Sequence, residues 1–444
     1  MIKLISFFFT FAAITGCQPA YIQDQLTPLP LNSIHFSGFL ESYLQNSIKN
    51  WNKGVVPYSG FVLKFRTVRE FFAQGEMWGK AVRSGCMFYR YTQDPELKKI
   101  LETTVNDLLT TRRENGSISC SVVSQQPDGP GGDLWERKYV LLEQTNPDMR
   151  RMMETCVGVT WLKFCSQILR LQGDPFAVDM IEKYAYNGLI GAMKPAGDGF
   201  SYVNLLNGVK TNQEGWGGYV DSVYVTCCNL NGPMGLAYLP FVAVMNSKQG
   251  PVINLYNAGV SNVLTPDNHS INLNIVTDYP LSGAIIVSVA PQQPEKFSIR
   301  LRIPAWSQAT ILKVNGEVVK VVPGTYAEIY RVWSSGDKIE LMLDMRCRVI
   351  NAPQGSNSAG DNYQALIRGP VVLARDENMD SDYNKPVAFI SKDGYVDVIP
   401  EFPAQQHTKM QFLVPTAGGY IHMVDYASVD SWKGKQICTW VLKK

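Results

Sequence analysis

Two short cysteine-bearing clusters carry most of the chemistry in this 444-residue sequence. Glu154-Thr155-Cys156 lies directly before an apolar helical pattern, Val157–Leu171. Thr226-Cys227-Cys228-Asn229 precedes Asn231-Gly232-Pro233 and a second apolar run, Met234–Val244. Three thiolates and a carboxylate form a reasonable donor set for one tetrahedral Zn²⁺. No C-x-x-C spacing is present, so the same residues also read as buried free cysteines, the commoner use of a thiol in a core.

Geometry limits where such a site can form. Residues i and i+2 face different sides of a helix but one side of an extended chain. Glu154 and Cys156 therefore share a target only where the chain passes from extended to helical, and the break at Asn146-Pro147 leaves room for that. The Cys227–Cys228 pair is expected in a loop before a helix over Met234–Val244, where adjacent side chains converge. A disulfide between neighbours strains the peptide that joins them, so the pair calls for another explanation.

The elements around these clusters change character midway. Phe88–Leu109 and Ile168–Leu189 are near repeats, each an apolar helical pattern broken at Asp94-Pro95 or Asp174-Pro175 and then resumed. Asp is a good N-cap and Pro suits the first helical position, so each break is a turn between helices. Stacked αα-hairpins of this kind build solenoids and (α/α) toroids. After Met245 the segments become short and β-rich: Val252–Tyr256, Ile271–Val276, Ala284–Val289, Phe297–Ile303. Ile311–Val314 and Val318–Val322 flank Asn315-Gly316, a strong hairpin signal. Ala327–Val332, Lys338–Leu343, Tyr363–Ala374 and the Val396–Pro400 region continue the series, which indicates an antiparallel sandwich.

Composition narrows the class. With 45% apolar, 11% aromatic and 18% charged residues, the chain is globular and long enough for two or three domains. A formal charge of +2 without a Lys/Arg run gives no basis for nucleic-acid binding. Lys3 followed by the apolar run Leu4–Ile14 and Ile14-Thr15-Gly16-Cys17 resembles a bacterial lipoprotein signal, with lipidation expected on Cys17. The run is too short to span a bilayer as a helix. An exported lipoprotein of the periplasm, outer membrane or cell surface is therefore expected, held to the membrane through Cys17. The other cysteines, at 86, 120, 156, 165, 227, 228, 347 and 438, are even in number but irregularly spaced, which argues against a disulfide framework.

Ordered blocks add a resemblance. Met153-Glu154-Thr155-Cys156, Thr160-Trp161-Leu162-Lys163, Arg170–Asp174 and Tyr186–Leu189 are similar to successive blocks of glycoside hydrolase family 127. So are Cys227-Cys228-Asn229 with Asn231-Gly232-Pro233, Leu301–Trp306 and Arg331–Asp337, while Phe71–Tyr91 and Gly132–Leu142 resemble one branch of it. The resemblance runs from about Phe65 to Ala374. It implies an (α/α)6 barrel with accessory β-sandwiches and retaining hydrolysis of terminal β-L-arabinofuranosides in plant-type glycans. It further implies Zn²⁺ held by Glu154, Cys156, Cys227 and Cys228, with Cys227 as the nucleophile. The expected organisation is a signal peptide over 1–17, a helical barrel-like domain over 18–247, a β-sandwich over 248–350 and a second β-rich region over 351–444.

Two departures from the family qualify this reading. Twelve barrel helices with their loops need well over ~200 residues, and 35–245 reads as about seven or eight helices. The shortfall falls near 143–145, where Glu143–Pro147 leads from Gly132–Leu142 straight into the Glu154 cluster. The family's general acid/base precedes that cluster, and no residue matches its surroundings. Glu136, Glu143, Asp133 and Asp148 are the nearby acids, and none is assigned. The competing expectation is a catalytically degenerate zinc-containing surface lipoprotein that binds glycan without hydrolysing it.

Overall fold

The computed structural model describes residues 23–67, 74–112, 114, 153–209, 217–352, 362–401, 410–429 and 435–444. The acids at 133, 136, 143 and 148, the shortened stretch at 143–145, Cys17 and Cys120 lie outside them. The longer helices among the described residues are α1 (Phe39–Asn46, continued by a π-helical turn Ser47–Asn52), α2 (Tyr58–Thr67), α3 (Gln74–Thr92), α4 (Pro95–Leu109), α5 (Thr155–Gln172), α6 (Pro175–Tyr184, continued by Ala185–Leu189 and Ile190–Ala192) and α7 (Cys227–Ala243). None is long and apolar enough to cross a membrane.

The two Asp-Pro breaks form the turns read from sequence. Asp94 Oδ1 accepts from the Glu96 and Leu97 N–H groups at 2.8 and 3.3 Å, capping α4. Asp174 Oδ1 accepts from Phe176 N at 2.9 Å, capping α6, and Gly173 ends α5 at φ 64°. That left-handed conformation is where glycine is favoured.

Helix α7 organises the rest. It is buried on nearly every side and packs between α3 and α5. A helix apolar all round belongs inside a core. It begins at Cys227 rather than near Met234, so the cysteine pair occupies its first turn and not a preceding loop. Thr226 explains the earlier start, because its Oγ1 accepts from Asn229 N at 3.0 Å while its backbone stays extended. That cap and the burial outweigh the ~3 kcal/mol that a proline such as Pro233 costs inside a helix.

The chain leaves α7 directly into Val244–Ser247 and Gly250–Ile253, the first hairpin of the β half. A five-stranded sheet and a seven-stranded sheet follow, and their inward residues, among them Ile271, Leu273, Val287, Ile299, Leu301 and Trp333, share one core. Asn315 (φ 50°) and Gly316 (φ 86°) make the hairpin turn. The strand after it ends at Val319 rather than Val322, since this is a sheet edge and both Val318 and Val322 are exposed. Residues 347–442 hold a further sheet network.

The N-terminal residues depart from the helical reading of 18–247. Thr27–Pro28 pairs with Val244–Ser247, and Ile34–Phe36 pairs with Gly259–Leu264, so this segment extends both sandwich sheets before α1 starts. This segment and α7 both run between the helical and β halves.

Candidate metal centre

Glu154 and Cys156 meet at the start of α5. Met153–Glu154 is a two-residue strand paired with Val203–Asn204, and Glu154 is extended (φ −71°, ψ 133°), immediately before the helix. Extended backbone at 154 and helical backbone at 156 let both side chains reach one point. The segment is held from below by polar contacts. Thr155 Oγ1 donates to Ser201 O at 2.7 Å, Asn204 Nδ2 donates to Thr155 Oγ1 at 3.2 Å, and Tyr184 OH donates to Thr155 O at 3.2 Å. The Tyr184 ring lies so close to Gly158 that a Cβ there would meet it at 2.1 Å, so this glycine is required by contact.

The first turn of α7 completes the group. Cys228 Sγ lies 3.4 Å from Cys156 Sγ, 3.8 Å from Cys227 Sγ and 3.9 Å from Glu154 Oε1. One donor atom from each of the four residues falls within 4.8 Å of all the others, and all four residues are buried. A tetrahedral zinc site with Zn–S bonds of about 2.3 Å has S···S edges of about 3.8 Å. The separations of 3.4 and 3.8 Å between sulfurs lie near that edge. The surroundings, including Trp51, Phe61, Met77 and Leu230, are apolar. Thiols alone are at home in such a pocket, whereas a buried carboxylate needs a cation or strong hydrogen bonds. Glu154 adds a carboxylate oxygen to the three sulfurs, a mixed donor set that zinc accepts.

Electrostatics within the group are uneven. Hydrogen bonds from Cys156 and Cys228, with Lys80 and Tyr202 assisting and burial opposing, hold the Cys227 thiol far below its usual range. The contact with Cys227 raises Cys156, and burial followed by its two cysteine neighbours raises Cys228. The three thiols thus titrate as one group, and a bound dication would stabilise them as thiolates.

Several neighbours were not singled out from sequence. Lys80 of α3 places Nζ 3.9 Å from Cys156 Sγ. Lys163, one residue of the Thr160–Lys163 block, donates to Asn231 Oδ1 at 3.3 Å, and burial pushes its ammonium down to about 8. Tyr202, Ser201 and Asn204 come from a short stretch whose proximity to Glu154 exists only in three dimensions. The remaining described cysteines, Cys86, Cys165, Cys347 and Cys438, are free and take no part in the cluster.

Comparison with known proteins agrees with this architecture. Residues 64–240 match the beta-L-arabinofuranosidase GH127 catalytic domain, and residues 252–345 match the GH127 middle domain. The chain belongs to glycoside hydrolase family 127. It is 27% identical over 246 residues to a non-reducing end beta-L-arabinofuranosidase of Bifidobacterium longum subsp. longum, covering 50% of this chain and 35% of that protein. The chain therefore spans about a third of the length of that relative. A GH127 beta-L-arabinofuranosidase from Geobacillus stearothermophilus T6 has the same fold, with a TM-score of 0.73, 15% identity and coverage of 93% of this chain and 100% of that one. A second GH127 beta-arabinofuranosidase aligns with a TM-score of 0.75 at 15% identity, covering 96% and 99%. The helical half followed by β-sandwich expected from sequence is thus the fold of the family.

Proposed function

We propose that this chain is a zinc-dependent retaining glycoside hydrolase that releases terminal β-L-arabinofuranose from plant-type glycans. The observation that carries the reading is the convergence of Glu154, Cys156, Cys227 and Cys228 from two helix starts, with one donor atom of each within 4.8 Å of the others. The name of the Bifidobacterium relative supports the sugar. Bound Zn²⁺ would keep the three sulfurs as thiolates at neutral pH. Cys227 acts as nucleophile: its sulfur bonds to the anomeric carbon, the glycosidic C–O bond breaks, and the leaving oxygen takes a proton from an acid. Water then attacks the same carbon, the C–S bond breaks to return the thiolate, and the water's proton passes to the conjugate base of that acid. Two displacements at one carbon retain its configuration. The helices between Phe39 and Ala243 carry this chemistry, with the β sheets as their support.

The test is joint metal and activity analysis. Protein purified without chelators is expected to hold about one zinc per chain and to hydrolyse an aryl β-L-arabinofuranoside. Chelation should abolish turnover, and added Zn²⁺ should restore it. No zinc above background, with all thiols titratable in the native state, would remove the site.

We further propose membrane attachment through lipidated Cys17, on the strength of the apolar run and the Ile14–Cys17 motif. One acyl chain binds a bilayer only marginally, while the several chains of a bacterial lipoprotein anchor firmly. Cell fractionation checks it: Cys17→Ser should leave the membrane fraction. Retention there with unchanged processing would end the proposal.

A further inference from the structure

A dication bound by three thiolates and one carboxylate carries a net charge of about −2 in a buried, apolar setting. Such a charge is costly unless cations stand close by. On α3 the buried positions Met77, Ala81 and Ser84 mark the face turned to α7, and Lys80 lies on the flank of that face, half-buried. A lysine on such a flank ordinarily extends its head toward water. Lys80 instead ends with Nζ 3.9 Å from Cys156 Sγ.

We propose that Lys80 is a positioning residue of the metal centre, whose ammonium contacts the Cys156 sulfur and offsets the surplus negative charge of the four donors. This rests on the zinc reading given above. Groups that touch a ligand from outside tune metal affinity nearly as strongly as the ligands' own geometry. Lys163 provides an internal comparison. It lies on α5 seven residues after Cys156, on the same face but roughly 10 Å further along the axis, and it gives its hydrogen bond to Asn231. Both lysines add positive potential, and Lys80 is the one with its ammonium against a ligand sulfur.

Chelator competition on the purified full-length chain, with zinc and then cobalt as probes, tests the contact. Lys80→Met and Lys80→Gln are expected to weaken metal binding by about 10–100-fold, whereas Lys80→Arg and Lys163→Met stay within about threefold of wild type. In the cobalt-loaded protein the sulfur-to-metal charge-transfer band of Lys80→Met should move to lower energy, because its donor sulfur has lost a neighbouring positive charge. That band reports on the ligand sulfur itself, which a merely structural role would leave unmoved. Matching thermal melts of the metal-free variants establish that the fold is intact. Unchanged affinity and an unchanged band in both Lys80→Met and Lys80→Gln would overturn the proposal. An equal loss in Lys163→Met would overturn it too, since the effect would then be a diffuse field rather than a contact. A wild-type chain that takes up neither metal would defeat the zinc reading itself.

Discussion

Lys80 touches one sulfur; Arg302 holds two halves of the molecule together, and Arg302→Met is expected to destabilise the fold by about 3–5 kcal/mol. Arg302 is fully buried on the strand Glu295–Ile303 of the sandwich. Its guanidinium reaches α6, where Nη1 pairs with Asp179 and Nη2 with Glu182 Oε1 at 2.6 Å. Nε donates to Asn254 O at 2.7 Å. The carboxylates are further satisfied by Tyr279 OH at 2.6 Å and Trp306 Nε1 at 3.3 Å on Glu182, and by Ala305 N at 3.1 Å on Asp179. Burial disfavours the arginine's charge, but Glu182 and then Asp179 outweigh it and raise its pKa.

Methionine fills a similar volume without charge, so two buried carboxylates lose their cation, which is the expensive way to break such a cluster. Adding Asp179→Asn and Glu182→Gln should recover part of the loss, because no uncompensated charge remains. Urea unfolding followed by tryptophan fluorescence measures both. A single variant within about 1 kcal/mol of wild type would mean that water replaces the arginine and that the cluster is not a clamp between halves.

The same cluster marks where sequence stops being informative. Leu301–Trp306 is legible as a block shared with the family, and the strand around it is legible from its β-rich residues. Asp179 and Glu182 are two polar residues on a helix with no sign that they are buried. Their burial follows from a pairing with a residue more than a hundred positions away. The four candidate donors were legible mainly because Met153–Cys156 and Cys227–Pro233 resemble family blocks, while type and spacing alone favoured ordinary buried cysteines. Lys80 and Tyr202 were not legible, since a lysine on an amphipathic helix and a tyrosine beside a two-residue strand each have a commoner local explanation. Thr27–Pro28 and Ile34–Phe36 show the opposite limit. Two- and three-residue strands are too short for alternation to register, and only the sandwich edges they complete define them. The start of α7 was misplaced for a local reason, because Gly232-Pro233 resembles a break and the Thr226 cap lies further upstream than that signal.

Cys227→Ala is expected to lower turnover on the order of 10⁴-fold or more while zinc remains bound. Three protein donors, Glu154, Cys156 and Cys228, would still hold the metal, and three suffice in open zinc sites. Removing Cys156 or Cys228 instead leaves the nucleophile in place, so metal affinity and rate should fall together and excess Zn²⁺ should restore part of the rate. Loss of rate with metal retained therefore separates nucleophile from ligand. The leaving group then probes the acid. An aryl β-L-arabinofuranoside departs without much protonation, whereas an alkyl one needs a positioned proton donor worth on the order of 10²–10⁴ in rate. No proton donor is assigned, so the wild-type chain is expected to cleave the aryl substrate slowly and the alkyl one more slowly by that factor. Efficient turnover of both would identify a working acid, and Glu136→Gln and Glu143→Gln would show which carboxylate it is. Full activity in Cys227→Ala on either substrate would exclude the thiolate route and leave the zinc cluster as a structural knot in a glycan-binding protein or in a hydrolase with a different nucleophile.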